Sequence, residues 1–159
     1  MGARAEALAK LFETKAQEAT AVIERLSDAD WKKATAAEKW PLGVVAHHMA
    51  GGHETIAGLI KMLAEGKPTP HLSMDMLHAM NVKHAQDNAN CTKAETLALH
   101  KKNAVVAAAI VRGLSDADLD RSGTVLAGMP AVSAAQFAER VLIGHMDEHV
   151  GSIRATVGA

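Results

Sequence analysis

Tyrosine is absent from this 159-residue chain, and phenylalanine and tryptophan occur only twice each. A composition so poor in aromatics and so rich in Ala, Leu, Val and Met is ill suited to sheets and favours closely packed helices. Cysteine occurs once, as Cys91, which rules out an intrachain disulfide and a cysteine-based zinc finger. No charge of one sign dominates: 17 basic against 18 acidic residues give a formal −1, with no global pull toward nucleic acid or an anionic membrane. Long hydrophobic runs are missing too. "AVVAAAIV" at 104–111 is too short to cross a bilayer, and "MGARAEALAKLFETK" interleaves charges with apolar residues, unlike a signal peptide. These absences predict one soluble domain over 1–159, cytoplasmic, with neither nucleic acid nor membrane as partner.

Four long stretches carry helical periodicity. The first, about 4–26, repeats Leu8, Leu11, Phe12, Ala19, Val22, Ile23 and Leu26 at helical spacing. The second runs from Pro41, suited to a first turn, to Glu65, before the breakers Gly66 and Pro68. A third starts at Thr92, where "TKAE" has the capping-box pattern, and reaches Gly113. The fourth starts at Ser133 with "SAAQ" and runs to about Val157. The 66–91 segment is too long for a bare loop, which predicts a short helix near 73–86. Strand-like alternation is found nowhere. The fold class is therefore all-α: a four-helix bundle with a short extra helix between helices two and three.

"LSDAD" occurs at 26–30 and again at 114–118, each time after a long helix. Ser27 and Ser115 can each cap a short helical stretch there. Ser-Asp linkers also recur by chance. The alternative is two helical hairpins related by a pseudo-two-fold axis, in an up-and-down or crossed bundle.

The histidines hold the chemistry. His145 and His149 lie about one turn apart, so they stack on one helix side. With His145 at zero, His149 falls at about +40°, Leu142 at about +60° and Val141 at about −40°, while Arg140 and Asp147 lie opposite. Both rings thus share the apolar stripe. In the second helix a wheel centred on His48 gathers Val44, Val45, Gly52, Leu59, Met62 and Leu63 within about 60°. That pattern selects His48 as the buried histidine. His47 shares the side of Glu54, Lys61 and Glu65, and is read as solvated or as a neighbour of the site. His53 is placed near the opposite edge.

Three imidazoles pointing into one bundle are hard to explain as packing, because buried rings need partners at both nitrogens. A divalent ion bound by His48, His145 and His149 would satisfy one nitrogen of each and leave room for water or substrate. The plainer alternative is that one or two of them make simple buried hydrogen bonds. This is not a zincin motif, since Met146 follows His145 and Glu148 precedes His149. Glu148 could edge the site or face solvent, Asp147 reads as solvated, and no general base is assigned.

At these residues the chain resembles the DinB-like (DinB/YfiT) superfamily. The matching stretches are "KWPLGVVAHHMA" at 39–50 and "LIGHMDEHVGSI" at 142–153. The family pattern counts from Trp40 to His48, followed by aliphatic Met49, and its late histidine pair matches His145 and His149. The resemblance implies a crossed four-helix bundle, a divalent metal (zinc or nickel, sometimes iron or manganese) held by three histidines, and frequently a homodimer. It also implies thiol-dependent transferase or isomerase chemistry, or hydrolysis, on a small molecule, with a thiol such as bacillithiol or mycothiol as cosubstrate. Adjacent His47 departs from the single-histidine pattern. The competing expectation is a non-enzymatic metal-binding or stress-associated protein.

Smaller features complete the reading. Cys91, beside the capping threonine, is expected to be inert. Gly51 and Gly52 either leave space near the metal or serve close helix packing. Met74, Met76 and Met80 read as core or as an adaptable wall over the bundle's open end. His71, His78, His84 and His100 are given no site, and "HKKN" at 100–103 reads as a solvated face.

Overall fold

The computed structural model describes residues 2–70 and 72–158. Four long helices dominate: α1 (Ala3–Glu24), α3 (Leu42–Ala64), α5 (Lys93–Arg112) and a last one assembled from three pieces. Those pieces are α7 (Ala134–Phe137), a π-helical stretch (Ala138–Ile143) and α8 (Gly144–Val157). Short α2 (Asp28–Trp31) and α6 (Asp116–Asp120) follow α1 and α5, and α4 (Met74–Asp87) supplies the extra helix. The all-α expectation holds apart from one two-residue antiparallel ladder, β1 (Ser122–Gly123) with β2 (Val132–Ser133). Two residues per strand are too few to leave alternation in a sequence.

The predicted caps form. Thr92 accepts from Glu95 N at 3.1 Å, and Ser133 from Gln136 N at 3.0 Å. Both "LSDAD" copies make capping boxes, Ser27 with Asp30 and Ser115 with Asp118. Each satisfies two backbone donors at a helix start that would otherwise be orphaned. Gly66, at φ +69°, ends α3 in the left-handed conformation that glycine adopts without strain.

Packing order differs from chain order. α1 and α3 find their main partners in the same two helices, α5 and the last helix. The core is a continuous apolar cluster that includes Phe12, Ile23, Leu42, Met49, Ile60, Leu119, Leu142, Met146 and Ile153. Alanines fill many close contacts, among them Ala5, Ala9, Ala19, Ala46, Ala57 and Ala107. Small side chains let helix axes approach, as the aromatic-poor composition predicted.

Two of the readings along the chain need correction. The buried face of α3 is centred on Met49, His53, Ile56 and Ile60, and His48 sits on its edge, half-buried. α3 is apolar nearly all round and is packed on two sides, so its periodicity carries little information about direction. "HKKN" is not a solvated face either: Lys101 and Lys102 are exposed, but His100 and Asn103 are buried. They continue a stripe with Thr96 and Ala107 at helical spacing, and Asn103 Nδ2 donates to the Ala50 carbonyl at 3.0 Å.

The start of α3 is locked by a tryptophan. The Trp31 indole lies on Gly43 so closely that a Cβ there would come within 2.3 Å of it. Trp31 Nε1 also donates to the Cys91 carbonyl at 2.9 Å, and the Cys91 thiol reaches the Gly43 carbonyl at 3.3 Å. Gly43→Ala should therefore destabilise the protein by about 1–3 kcal/mol through overpacking, read from urea denaturation midpoints.

Candidate metal centre

His48 comes from α3, and His145 and His149 come from α8, immediately after the π-helical stretch. A π turn widens the helix by one residue and is common near functional sites. Here it resets which residues of the last helix face α3. The ring of His145 then rests over Gly52, where an added Cβ would come within 2.8 Å of its Cε1. Gly52 thus admits the ring by close packing, whereas the Gly51 position faces open space.

The three rings converge. His145 Nε2 lies 3.1 Å from His48 Nε2 and 3.1 Å from His149 Nε2, and one ligand atom from each falls within 4.8 Å of the others. His48 and His145 are half-buried and His149 is buried, so the cluster stands at the edge of the core.

A sequence reading alone missed Glu38. Its Oε2 accepts from His149 Nδ1 at 2.7 Å. A carboxylate only accepts, so His149 must carry its proton on Nδ1, which leaves Nε2 as a bare lone pair aimed into the cluster. The loop that presents Glu38 is tightly bound: Thr35 N donates to the Trp40 carbonyl at 2.9 Å, and Lys39 N to the Thr35 carbonyl at 3.1 Å. Lys39 there takes φ +62°, and among the described residues it is the one non-glycine with positive φ. The same loop sets Trp40 edge-on against His48, centroids 5.4 Å apart. Burial acts to raise the Glu38 carboxyl, but hydrogen bonds from His149 and Thr35 outweigh it and hold the group below its ordinary range.

Proton counting shows what the cluster can do. One hydrogen on His145 Nε2 cannot serve both 3.1 Å contacts, and His149 Nε2 has none to give. A single cation satisfies three lone pairs together. Imidazole nitrogens about 2.0–2.1 Å from one ion lie about 2.9–3.4 Å apart at right to tetrahedral angles, the range these contacts occupy. His48 and His145 are both held down to about 3, first by burial and then by the neighbouring histidines. They are neutral donors at pH 7.

A second pair flanks the cluster. His47 Nδ1 lies 2.9 Å from His84 Nε2, and the His84 ring stands 5.4 Å from that of His48. His47 is thus a neighbour, outside the trio. His84, given no site from sequence, is brought there by α4, none of whose described residues is buried. Met74, Met76 and Met80 are exposed on that helix and do not belong to the core. His78 is exposed as well, and His71 lies outside the described residues. His53 and His100, also passed over, are both fully buried and bonded to each other at 3.0 Å. Glu148 is exposed, and Asp147 pairs with Lys15 at 3.4 Å. Burial raises the Cys91 thiol, which makes it a poor nucleophile. A groove of about 440 Å³ lined by Ala34, Ala37, Gly151 and Ala155 runs behind the Glu38 loop, and none of the three histidines lines it.

A helical bundle carrying an edge cluster of three imidazoles, one oriented by a carboxylate, defines the class of protein. The comparisons make it particular. The family model of the DinB superfamily matches residues 11–153, and the chain belongs to that superfamily. Its fold is similar to the crystal structure of a mutant of the mycothiol-dependent maleylpyruvate isomerase, with TM-score 0.75 and 13% sequence identity over 96% of this chain. The chain spans 63% of that isomerase's length. Among curated proteins none matches. No helix among the described residues is long and apolar enough to cross a membrane.

Two outcomes follow from this geometry. Removing the orienting carboxylate in Glu38→Ala should weaken zinc binding about 10- to 100-fold while the helical circular dichroism is retained, read by chelator competition. The metal-free protein should lose stability on acidification. His53 is held down to about 3 by burial and by His100, whereas an unfolded histidine titrates near 6.5. Below about pH 6.5 the unfolded chain takes up a proton that the folded one refuses, so stability is intact above that pH and falls toward pH 3. His53 alone accounts for about 2 kcal/mol at pH 5, measurable by urea denaturation at pH 7 and pH 5.

Proposed function

We propose that this protein is a metal-dependent enzyme in which His48, His145 and His149 bind one divalent ion, zinc or nickel, and which acts on a small electrophilic substrate with a low-molecular-weight thiol as cosubstrate. The observation that carries the reading is the convergence of three Nε2 atoms, with the tautomer of one set by Glu38. An ion held by three neutral imidazoles keeps its full positive charge and lowers the pKa of a thiol or water bound to it toward neutrality. The chain's own part is to hold three lone pairs at one point, to orient His149 through Glu38, and to keep one side accessible. That accessible side is supported by the half-exposure of His48 and His145 on the rims of their helix faces.

Thiol dependence is supported by the name of the structural neighbour, a mycothiol-dependent isomerase. At 13% identity and 63% coverage of that chain, its substrate is not carried over. Transferase, isomerase and hydrolase chemistry all fit a cation with open positions. Cys91 is not the nucleophile in this reading. A homodimer in the cytoplasm completes the proposal. The alternative is a non-enzymatic metal-binding or stress-associated protein in which the ion fastens α3 to α8, favoured by the fact that the cluster joins these helices.

Metal analysis of protein purified without tag or chelator should give about one ion per chain. His48→Ala should abolish uptake and His47→Ala should not; the reverse would reassign the first ligand. In a cobalt-substituted sample, small thiols should shift the visible absorption. No shift together with no thiol-coupled turnover, but a melting temperature that drops in chelator, would favour the structural alternative.

A further inference from the structure

Behind the cluster a line of hydrogen bonds runs through the core from α1 to α3. It begins at the Ala16 carbonyl, which can only accept. His100 Nε2 lies 2.9 Å from that oxygen, so His100 carries its proton on Nε2. A neutral His100 then has a bare Nδ1, and His53 Nε2 lies 3.0 Å from it. His53 must donate there, so its proton also sits on Nε2. Each tautomer is dictated by the one before.

The line stops at an atom without a partner. His53 Nδ1 is left as a bare acceptor, buried, with no hydrogen bond among the described residues. The His145 Nδ1 is a second orphan of the same kind. If His145 binds an ion through Nε2, its proton moves to Nδ1 and that atom becomes a donor with nothing to receive it. The two orphans are chemically complementary. Gly52 links their positions: a Cβ on Gly52, the residue beside His53, would lie 3.2 Å from His145 Nδ1. The His53 ring is held in place edge-on by Phe12, centroids 5.3 Å apart.

We infer that His53 and His100 are positioning residues for the metal centre: the Ala16 carbonyl sets the tautomer of His100, His100 sets that of His53, and the bare Nδ1 of His53 accepts the Nδ1 proton of metal-bound His145 through one buried water. This rests on His145 being a ligand. It gives His145 the outer partner that Glu38 gives His149. Two of the three ligands would then be oriented by opposite means, one by an anion at the rim and one by a neutral line of rings in the core. A core histidine pair kept only for packing would have no reason to end on an unmet buried acceptor.

Long-range ¹⁵N–¹H correlation on histidine-labelled full-length protein tests this directly. His100 and His53 should both be protonated on Nε2 in metal-free protein, and zinc should bring up a slowly exchanging Nδ1–H on His145. A proton found on His53 Nδ1, with or without zinc, overturns the inference. The variants provide an independent check. His53→Phe keeps a ring against Phe12 but has no acceptor, and its zinc affinity, read by chelator competition, should fall about 10- to 100-fold. His53→Gln, which offers both an acceptor and a donor, should recover most of it. A His53→Phe protein that melts lower yet binds zinc with unchanged affinity, while His145→Ala does not bind, would leave the three-histidine centre standing and remove His53 from it. Unchanged binding by His145→Ala would remove the centre itself.

Discussion

An imidazole taken out of water must find partners for two nitrogens, and that requirement organises this protein's interior. Among the described residues seven histidines lie wholly or partly inside it, and each has at least one ring nitrogen within hydrogen-bond distance of another group. Two of the resulting systems come together near α3. One converges on a point at the core's edge, where three lone pairs meet and no proton arrangement serves all three. The other runs through the middle, where every proton position is forced. A cation would resolve the first, and the second ends at His53, the residue beside the Gly52 on which His145 packs.

α3 is the element that makes this arrangement possible. It is packed against α5 on one side and the last helix on another, so it can present His53 to one neighbour and His48 to the other. Its glycines matter at two places: Gly43 accepts the Trp31 indole, and Gly52 accepts the His145 ring. Both are close approaches that any side chain would block. The π turn before His145 and the strained Lys39 in the Glu38 loop stand on either side of the same cluster. Irregular backbone concentrates where side chains must be aimed, which fits the general cost of holding such geometry.

Much of this was legible beforehand, for identifiable reasons. Caps are local, so Ser27, Thr92, Ser115 and Ser133 could be read from four-residue patterns. The pairing of His145 with His149 needed only helical spacing. His48 was singled out by a wheel argument whose orientation was wrong, since α3 buries His53 more deeply than His48. The choice nevertheless agreed with the count from Trp40. His100 was obscured by Lys101 and Lys102, although spacing alone would have grouped it with Asn103 and Ala107. Nothing periodic marks Glu38. Its only signal was chemical: a metal-binding histidine needs an acceptor on its far nitrogen.

The sequence by itself determined the helices, their caps, the all-α class and the residue types capable of gripping a cation, because these depend on neighbours within about one or two turns. Only the tertiary structure decided which rings meet, that Glu38 reaches His149 across 111 positions, and that His100 bonds to Ala16 across 84. A ring's proton is placed by whatever atom lies opposite it, and for these histidines that atom belongs to another segment of the chain.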